Sequence, residues 1–307
     1  MVDFIPLCDP KILRIEKSDQ YFDDSDWILE PKINGRRIQS LIRKNIEFAG
    51  RYAREANENI SDFPWKFLRI CEELKSINIP SNTLFDGEVY LPGRSVSTTM
   101  QMINLDVDAS IQLQELQGHL HYIIFDILAL DGNFLTSRTF NNRRKILEKI
   151  FSKTKLYNVH VINQYVITDE KNKYWQKILA SDNEEKGVVF KFKESEYESS
   201  RSKWWLKLKK TETYEGVILN FKLHNKYPDE FVSSIEVGQY RNSRLIKVAS
   251  VSGLTKEDAS EFRSNVETYK GKVIQFRSES KTKTSYKTPR FDRVRYDKIP
   301  QSCIWED

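Results

Sequence analysis

Cysteine is scarce: the three at positions 8, 71 and 303 of 307 residues are too widely spaced, and odd in number, for a disulfide framework or a zinc knuckle. A reducing compartment suits such a chain. Long apolar runs are missing as well. The most apolar segment, 122–130, is interrupted by Asp126 and is too short to span a bilayer. No basic-then-apolar leader opens the sequence. These absences lead to the expectation of a soluble, intracellular, monomeric protein with no membrane partner. A strong excess of either charge is also lacking, since 49 Lys and Arg face 44 Asp and Glu for a net charge of +5. The distribution of charge therefore matters more than its sum. Residues 270–298 hold ten basic against three acidic side chains, and residues 186–210 hold eight against three. Both stretches are interleaved with aromatics, as surfaces that meet phosphates are, although a merely solvated basic face has the same composition.

What is present is enough for two cores. Hydrophobic residues make up 39% of the chain and aromatics 12%, and its length exceeds that of a usual single domain, so two domains of unequal size are expected. The organising stretch is Glu30-Pro31-Lys32-Ile33-Asn34-Gly35-Arg36-Arg37. It follows the apolar run Trp27-Ile28-Leu29, which reads as a strand, and it reaches a glycine that permits a sharp turn. One lysine is thereby held at a strand end with an acid two residues before it and two arginines after it. That position suits a plain surface lysine. It equally suits a nucleophile whose ammonium is disfavoured by neighbouring cations.

Further along, alternation over 38–42 and 46–48 predicts a hairpin. Trp65, Leu68, Cys71, Leu74 and Ile77 recur at helical spacing after Asp62 and Pro64, predicting an amphipathic helix with these residues in the core. Leu84-Phe85-Asp86-Gly87-Glu88-Val89-Tyr90-Leu91 reads as a strand carrying an acid pair, and Glu88 in a strand interior needs a cation or hydroxyl partner. The polar run 95–104 reads as a loop leading to a short helix. Residues 122–130 read as a central strand ending in the turn Asp131-Gly132, and helices are expected over 139–151 and around 171–180. In Lys203-Trp204-Trp205-Leu206-Lys207-Leu208-Lys209-Lys210, alternation puts Lys207 and Lys209 on one strand face, either as a solubility device or as two ammonium groups aimed into a pocket. After Lys210 come five alternating runs, near 214–221, 233–237, 245–251, 272–277 and 291–295, with a helix capped by Thr255 and Asp258 between the third and fourth. Five strands and a helix in under a hundred residues suggest an oligonucleotide-binding (OB) β-barrel.

Taken together, these motifs resemble those of the covalent nucleotidyltransferases, and most closely a small ATP-dependent DNA ligase. The lysine stretch resembles the family's E-x-K-x-[DN]-G-x-R, 125–132 its F-D-x-L-x-x-D-G, 185–191 its E-G-[VIL]-[VMI]-x-K, 205–209 its W-x-K-x-K, and 289–298 its P-R-F followed by R-x-D-K. The resemblance implies an α+β chain: an adenylation domain over 1–210, with antiparallel sheets and helices in an ATP-grasp-like arrangement, followed by an OB-fold domain over 211–307. It makes Lys32 the residue that takes AMP from ATP. Glu30, Arg37, Arg51 and Lys191 become nucleotide contacts, Glu88 a reader of the ribose or of a metal, and Phe125 the ring that stacks on the purine opposite Val188. Lys207 and Lys209 would neutralise the α-phosphate. Arg295, Asp297 and Lys298 would orient departing pyrophosphate when the barrel turns inward as a moving lid. Magnesium is implied, with manganese as a substitute and Glu88, Glu185 and Asp297 as candidate ligands; the implied partners are ATP and nicked duplex DNA. Two positions depart from the pattern. Asn34 stands where an aspartate is usual, keeping the shape without the charge. Lys186 occupies the usual place of the metal-binding carboxylate, with Glu185 one residue early. Because strand side chains alternate, either a bulge re-aims Glu185, or the metal is held otherwise, or catalysis is impaired. Capping guanylyltransferases, RNA ligases and a non-catalytic nucleic-acid-binding relative remain the alternatives.

Overall fold

The apolar run ahead of Lys32 forms the strand Trp27–Pro31, buried along its whole length. It pairs antiparallel with Gly187–Phe192, which pairs antiparallel with Arg201–Lys209. The strand Asp9–Ile12 joins Arg201–Lys209 in parallel, completing a four-stranded sheet. These elements come from a computed structural model that describes residues 2–13, 15–50, 62–180 and 187–306. The chain divides into two units, Met1–Lys209 and Lys210–Asp307. One face of the four-stranded sheet carries Leu29, Val188, Phe190, Leu206 and Leu208, packed on Phe22 from the helix Asp19–Asp23 and on Trp175 and Ile178 from the helix Thr168–Ala180. The opposite face is where the chemistry gathers.

A second sheet of the first unit runs in the order Ile46–Gly50, Arg36–Ile42, Thr83–Tyr90, His121–Leu130, Asn133–Phe134, with Val159–Val161 lying parallel beside His121–Leu130. Asp131 and Gly132 both take positive φ, 47° and 80°, as the two-residue turn of a twisted hairpin requires. One side of this sheet buries Ile38, Phe85 and Tyr122 against Ile70 and Leu74 of the helix Leu68–Ser76 and Leu147 of the helix Phe140–Phe151. Asp126, the charge that interrupts the apolar run, is fully buried and meets Arg143 of that last helix through two bonds of 2.8 Å. The guanidinium is further occupied by the Arg138 carbonyl at 2.6 Å. A charge inside a core strand is tolerable because its partner arrives with the helix.

The second unit holds an antiparallel sheet in the order Arg244–Val251, Val232–Arg241, Glu212–Leu223, Val273–Ser278, Arg290–Arg295. A bridge between Ser252 and Arg290 ties the two edge strands: Phe291 donates to the Ser252 carbonyl at 2.8 Å, and Ser252 to that of Pro289 at 3.1 Å. The sheet thereby curls into a partly closed barrel. The helix Lys256–Ser264 lies between the third and fourth strands and starts with the reciprocal capping box of Thr255 and Asp258. Five strands with a helix at that point match the OB-type barrel expected from the sequence.

Two sequence expectations are corrected. The polar run 95–104 is itself helical, Val96–Asn104 capped by Ser95, and is followed by the helix Val107–Gln117 capped by Asp106. The stripe led by Trp65 is only partly core: Cys71 and Leu74 are buried, whereas Trp65 is 64% exposed and Leu68 47%. For Trp65 the cause is a break at Phe67 (φ −107°, ψ 34°) that splits the segment into Phe63–Lys66 and Leu68–Ser76, whereas Leu68 lies after the break, at the edge of the stripe formed by Ile70, Cys71 and Leu74. A helical periodicity counted across such a break loses its phase.

Breaking the Asp126–Arg143 pair leaves one charge buried and uncompensated. Arg143→Met is expected to lower stability in urea unfolding by about 3–5 kcal/mol, and the double variant Asp126→Leu, Arg143→Met to recover much of the loss. A single variant as stable as the parent would show that the pair is dispensable.

Candidate active site

Between the facing sides of the two sheets of the first unit lies a cavity of about 640 Å³. Strand alternation decides what lines it. From the four-stranded sheet come Glu30, then Val189 and Lys191, then Trp205, Lys207 and Lys209, each group at every second position of its strand. The other sheet contributes Arg37, Glu88 and Phe125, while Lys32 and Gly35 form the end where the first strand turns away. The structure thus brings together, in one cavity, Lys32, Glu30, Arg37, Glu88, Phe125, Lys191, Lys207 and Lys209 of the residues singled out from the sequence. Val188 is not among them: it lies in the core under the four-stranded sheet, and its neighbour Val189 faces the cavity. Val188 and Lys191 are three apart on one strand, so they cannot share a face, and the assignment moves by one residue. Arg51 and Glu185, with Lys186, lie outside the described residues.

Lys32 is fixed at both ends. Its backbone N–H donates to the Gly187 carbonyl at 3.0 Å, and its ammonium donates to Asn34 Oδ1 at 3.0 Å. Both flanking glycines are required by close approach. A Cβ on Gly35 would stand 2.2 Å from the Val89 carbonyl oxygen, and one on Gly187 2.3 Å from that of Leu208. Gly35 also donates its N–H to Glu88 Oε1 at 3.0 Å. Burial pushes the Glu88 carboxyl up to about 7, against the opposing pull of Lys32, Arg37 and that N–H bond. A carboxylate that desolvation holds near neutrality is one whose charge a bound cation would compensate.

Arg37 makes a two-pronged bond to Asp86, at 3.0 and 2.6 Å, and Tyr197 donates to the same carboxylate at 3.0 Å. Burial disfavours the guanidinium, but Asp86 outweighs it and holds the arginine's pKa above its usual value. Its Cζ lies 5.2 Å from the Phe125 ring centroid, so Asp86 orients an arginine that in turn braces Phe125. Lys191 is buried too, 2.7 Å from Glu30 Oε2 and under 5 Å from the rings of Trp205 (3.9 Å), Phe125 (4.6 Å) and Phe140 (4.7 Å). Gln164 donates to the other oxygen of Glu30 at 2.8 Å. Strand periodicity could have found Val189. Nothing in the sequence marked Gln164 or Ile162, which come from an irregular segment, and Asp86 was visible only as half of an acid pair.

In the second unit, Arg295 grips both oxygens of Asp297, at 2.8 and 2.7 Å, and bonds Glu215, which also lies 3.5 Å from Lys298. The bond from Arg295 holds the Asp297 carboxyl far below the usual range. Its two oxygens face a guanidinium, the arrangement of an ion pair. Among the described residues, no group of three or more His, Cys, Asp and Glu side chains is placed to hold a metal. No helix among them is long and apolar enough to cross a membrane.

Residues 7–209 match the model of the ATP-dependent DNA ligase domain family. The SPbeta prophage-derived DNA ligase-like protein LigB of Bacillus subtilis is 25% identical over 246 residues, which are 75% of this chain and 82% of that protein. A DNA ligase of Methanocorpusculum labreanum is 30% identical over 296 residues, or 88% of this chain, but the match spans only 52% of that ligase. Among solved structures, a Lig E DNA ligase superposes with a TM-score of 0.63 at 16% identity, covering 96% of this chain and all of the other. The ligase domain of LigD from M. tuberculosis gives 0.53 at 18% identity, covering 99% and 100%. At such identities the structural likeness concerns the fold alone.

The raised pKa of Glu88 fixes a pH dependence. A carboxyl that ionises near 4.5 when unfolded and near 7 when folded contributes stability that is fully present below 4.5 and is lost as pH rises through 7. Relative to Glu88→Gln, the wild-type melting temperature is therefore expected to fall between pH 4.5 and 7 and then to run parallel. Parallel curves across the whole range would refute the desolvated carboxyl.

Proposed function

The chain belongs to the ATP-dependent DNA ligase domain family, and from that premise we propose that Lys32 takes AMP from ATP and that the enzyme passes it to the 5′-phosphate of a nick in duplex DNA, which is then sealed. The observation that carries this reading is one cavity that holds a lysine at a strand end together with three further lysines, a desolvated glutamate and the ring of Phe125.

The neutral amine of Lys32 attacks the α-phosphorus, the bond to pyrophosphate breaks, and AMP is left on nitrogen as a phosphoramidate. The 5′-phosphate then displaces the lysine and becomes adenylated. The 3′-hydroxyl finally attacks that phosphate and expels AMP. In each step charge grows on phosphate oxygens, and Lys207 and Lys209, fixed on one strand face toward the cavity, are suited to neutralise it. Phe125, braced by Arg37 and Lys191, offers the base a flat wall, with Val189 and Ile162 as the aliphatic walls. Magnesium commonly binds through one or two carboxylates and the substrate's own phosphates, and Glu88 is the residue that would hold it. Bound there, the ion would neutralise phosphate charge.

Incubation with α-labelled ATP and magnesium, followed by denaturing electrophoresis, is expected to leave label on the wild type and none on Lys32→Ala. Lys207→Ala and Lys209→Ala should each slow labelling by about a hundredfold or more. Sealing should favour nicked DNA over nicked RNA, and GTP should not replace ATP. An unlabelled wild type, or label that survives Lys32→Ala, overturns the proposal.

A further inference from the structure

Glu30 lines the cavity with both oxygens already engaged, Oε2 by Lys191 at 2.7 Å and Oε1 by Gln164 at 2.8 Å. The Lys191 ammonium is also 4.6 Å from the centroid of the Phe125 ring proposed as the base wall. Lys191 belongs to a motif strand. Gln164 lies in none of the motifs, yet the backbone on either side of it is tied to strands. Leu29 and Tyr165 exchange two backbone bonds, of 3.0 and 2.9 Å, and Ile162 donates to the Ile124 carbonyl at 2.9 Å. The segment 162–165 is thus a strap tied at one end to the central strand of the second sheet and at the other to the lysine strand of the first. Ile162 lines the cavity from it, and Gln164 reaches Glu30.

The chemistry of the pair is directional. A carboxylate only accepts, so the amide nitrogen of Gln164 must face it, and the amide cannot turn over without setting oxygen against oxygen. Lys191 and Gln164 together leave the Glu30 carboxylate able to rotate toward neither side. Each oxygen has one acceptor position left, and these can serve only a donor. Adenine carries an amino group at its 6-position, whereas guanine carries a carbonyl there, which a fixed carboxylate repels. We infer that Gln164 is a positioning residue for base recognition: by holding Glu30 from the side opposite Lys191, it makes the site select purine nucleotides with a 6-amino group.

This inference rests on the reading of the cavity as a nucleotide site, but its test needs no covalent step. Calorimetric titration in metal-free buffer compares ATP with purine riboside triphosphate, which differs from ATP only in lacking the 6-amino group. Wild type is expected to bind ATP more tightly than the analogue. Gln164→Leu should weaken ATP about tenfold, of the order of one charge-assisted hydrogen bond, and leave the analogue unchanged. A general loss of structure would weaken both equally, and that outcome, like an unaltered Gln164→Leu, overturns the assignment. Glu30→Gln, which replaces half of the acceptor with a donor, should abolish the preference for ATP over the analogue. Absence of label on Lys32 with normal nucleotide discrimination would overturn the ligase chemistry alone.

Discussion

Two-residue alternation across three adjoining strands is the constraint on which the site depends. Along Trp27–Pro31, Gly187–Phe192 and Arg201–Lys209, one set of positions packs the core as Leu29, Val188, Phe190, Leu206 and Leu208, and the intervening set supplies Glu30, Val189, Lys191, Trp205, Lys207 and Lys209 to the cavity. The two sets enforce each other. A slip of one residue in any strand would bury lysines in the core and turn leucines toward the cavity, so the apolar face pins the register of the charged one. The glycine at 187, which admits no Cβ against the Leu208 carbonyl, lets the strands approach where Lys32 is anchored.

Three buried ion pairs of the first unit each join two different elements, while the buried ammoniums of Lys66 and Lys171 are held by backbone carbonyls. Arg37 meets Asp86 from the adjacent strand, Asp126 meets Arg143 from a helix, and Glu30 meets Lys191. Such pairs add little net stability compared with apolar packing, because desolvation offsets their attraction. What they provide is orientation. Asp86 sets the plane of Arg37, Arg37 and Lys191 fix the ring of Phe125, and a flat wall with a defined tilt results. Glu88 likewise has no ion partner that fully offsets its desolvation, and it stands within the field of Lys32.

Much of this was legible in the chain because its motifs are short strands whose alternation is visible, and because turn and cap residues mark their ends. The five barrel strands and the capped helix between them were readable for that reason, as was the common face of Lys207 and Lys209. Val188 was misplaced by one residue although periodicity with Lys191 already forbade it. Val96–Asn104 was hidden because Ser97, Thr98 and Thr99 in its first turn are typical of loops and its apolar residues cluster toward its end; only Ser95 signalled a cap. Trp65 was misjudged because a single non-helical residue, Phe67, resets the phase. Gln164 was invisible in principle: its role comes from a backbone bridge between residues 29 and 165, which no local pattern encodes.

The pairing of Asp9–Ile12 with Arg201–Lys209 has a consequence for how the molecule comes into being. The earliest strand and the last one of this unit are sheet neighbours, and Trp27–Pro31 must likewise wait for Gly187–Phe192. Contacts so distant along the chain close slowly, and during synthesis they cannot close until nearly the whole unit has left the ribosome. Lys32 is thus made early and enclosed late. A truncated or stalled chain carries the lysine without the strands that wall its cavity.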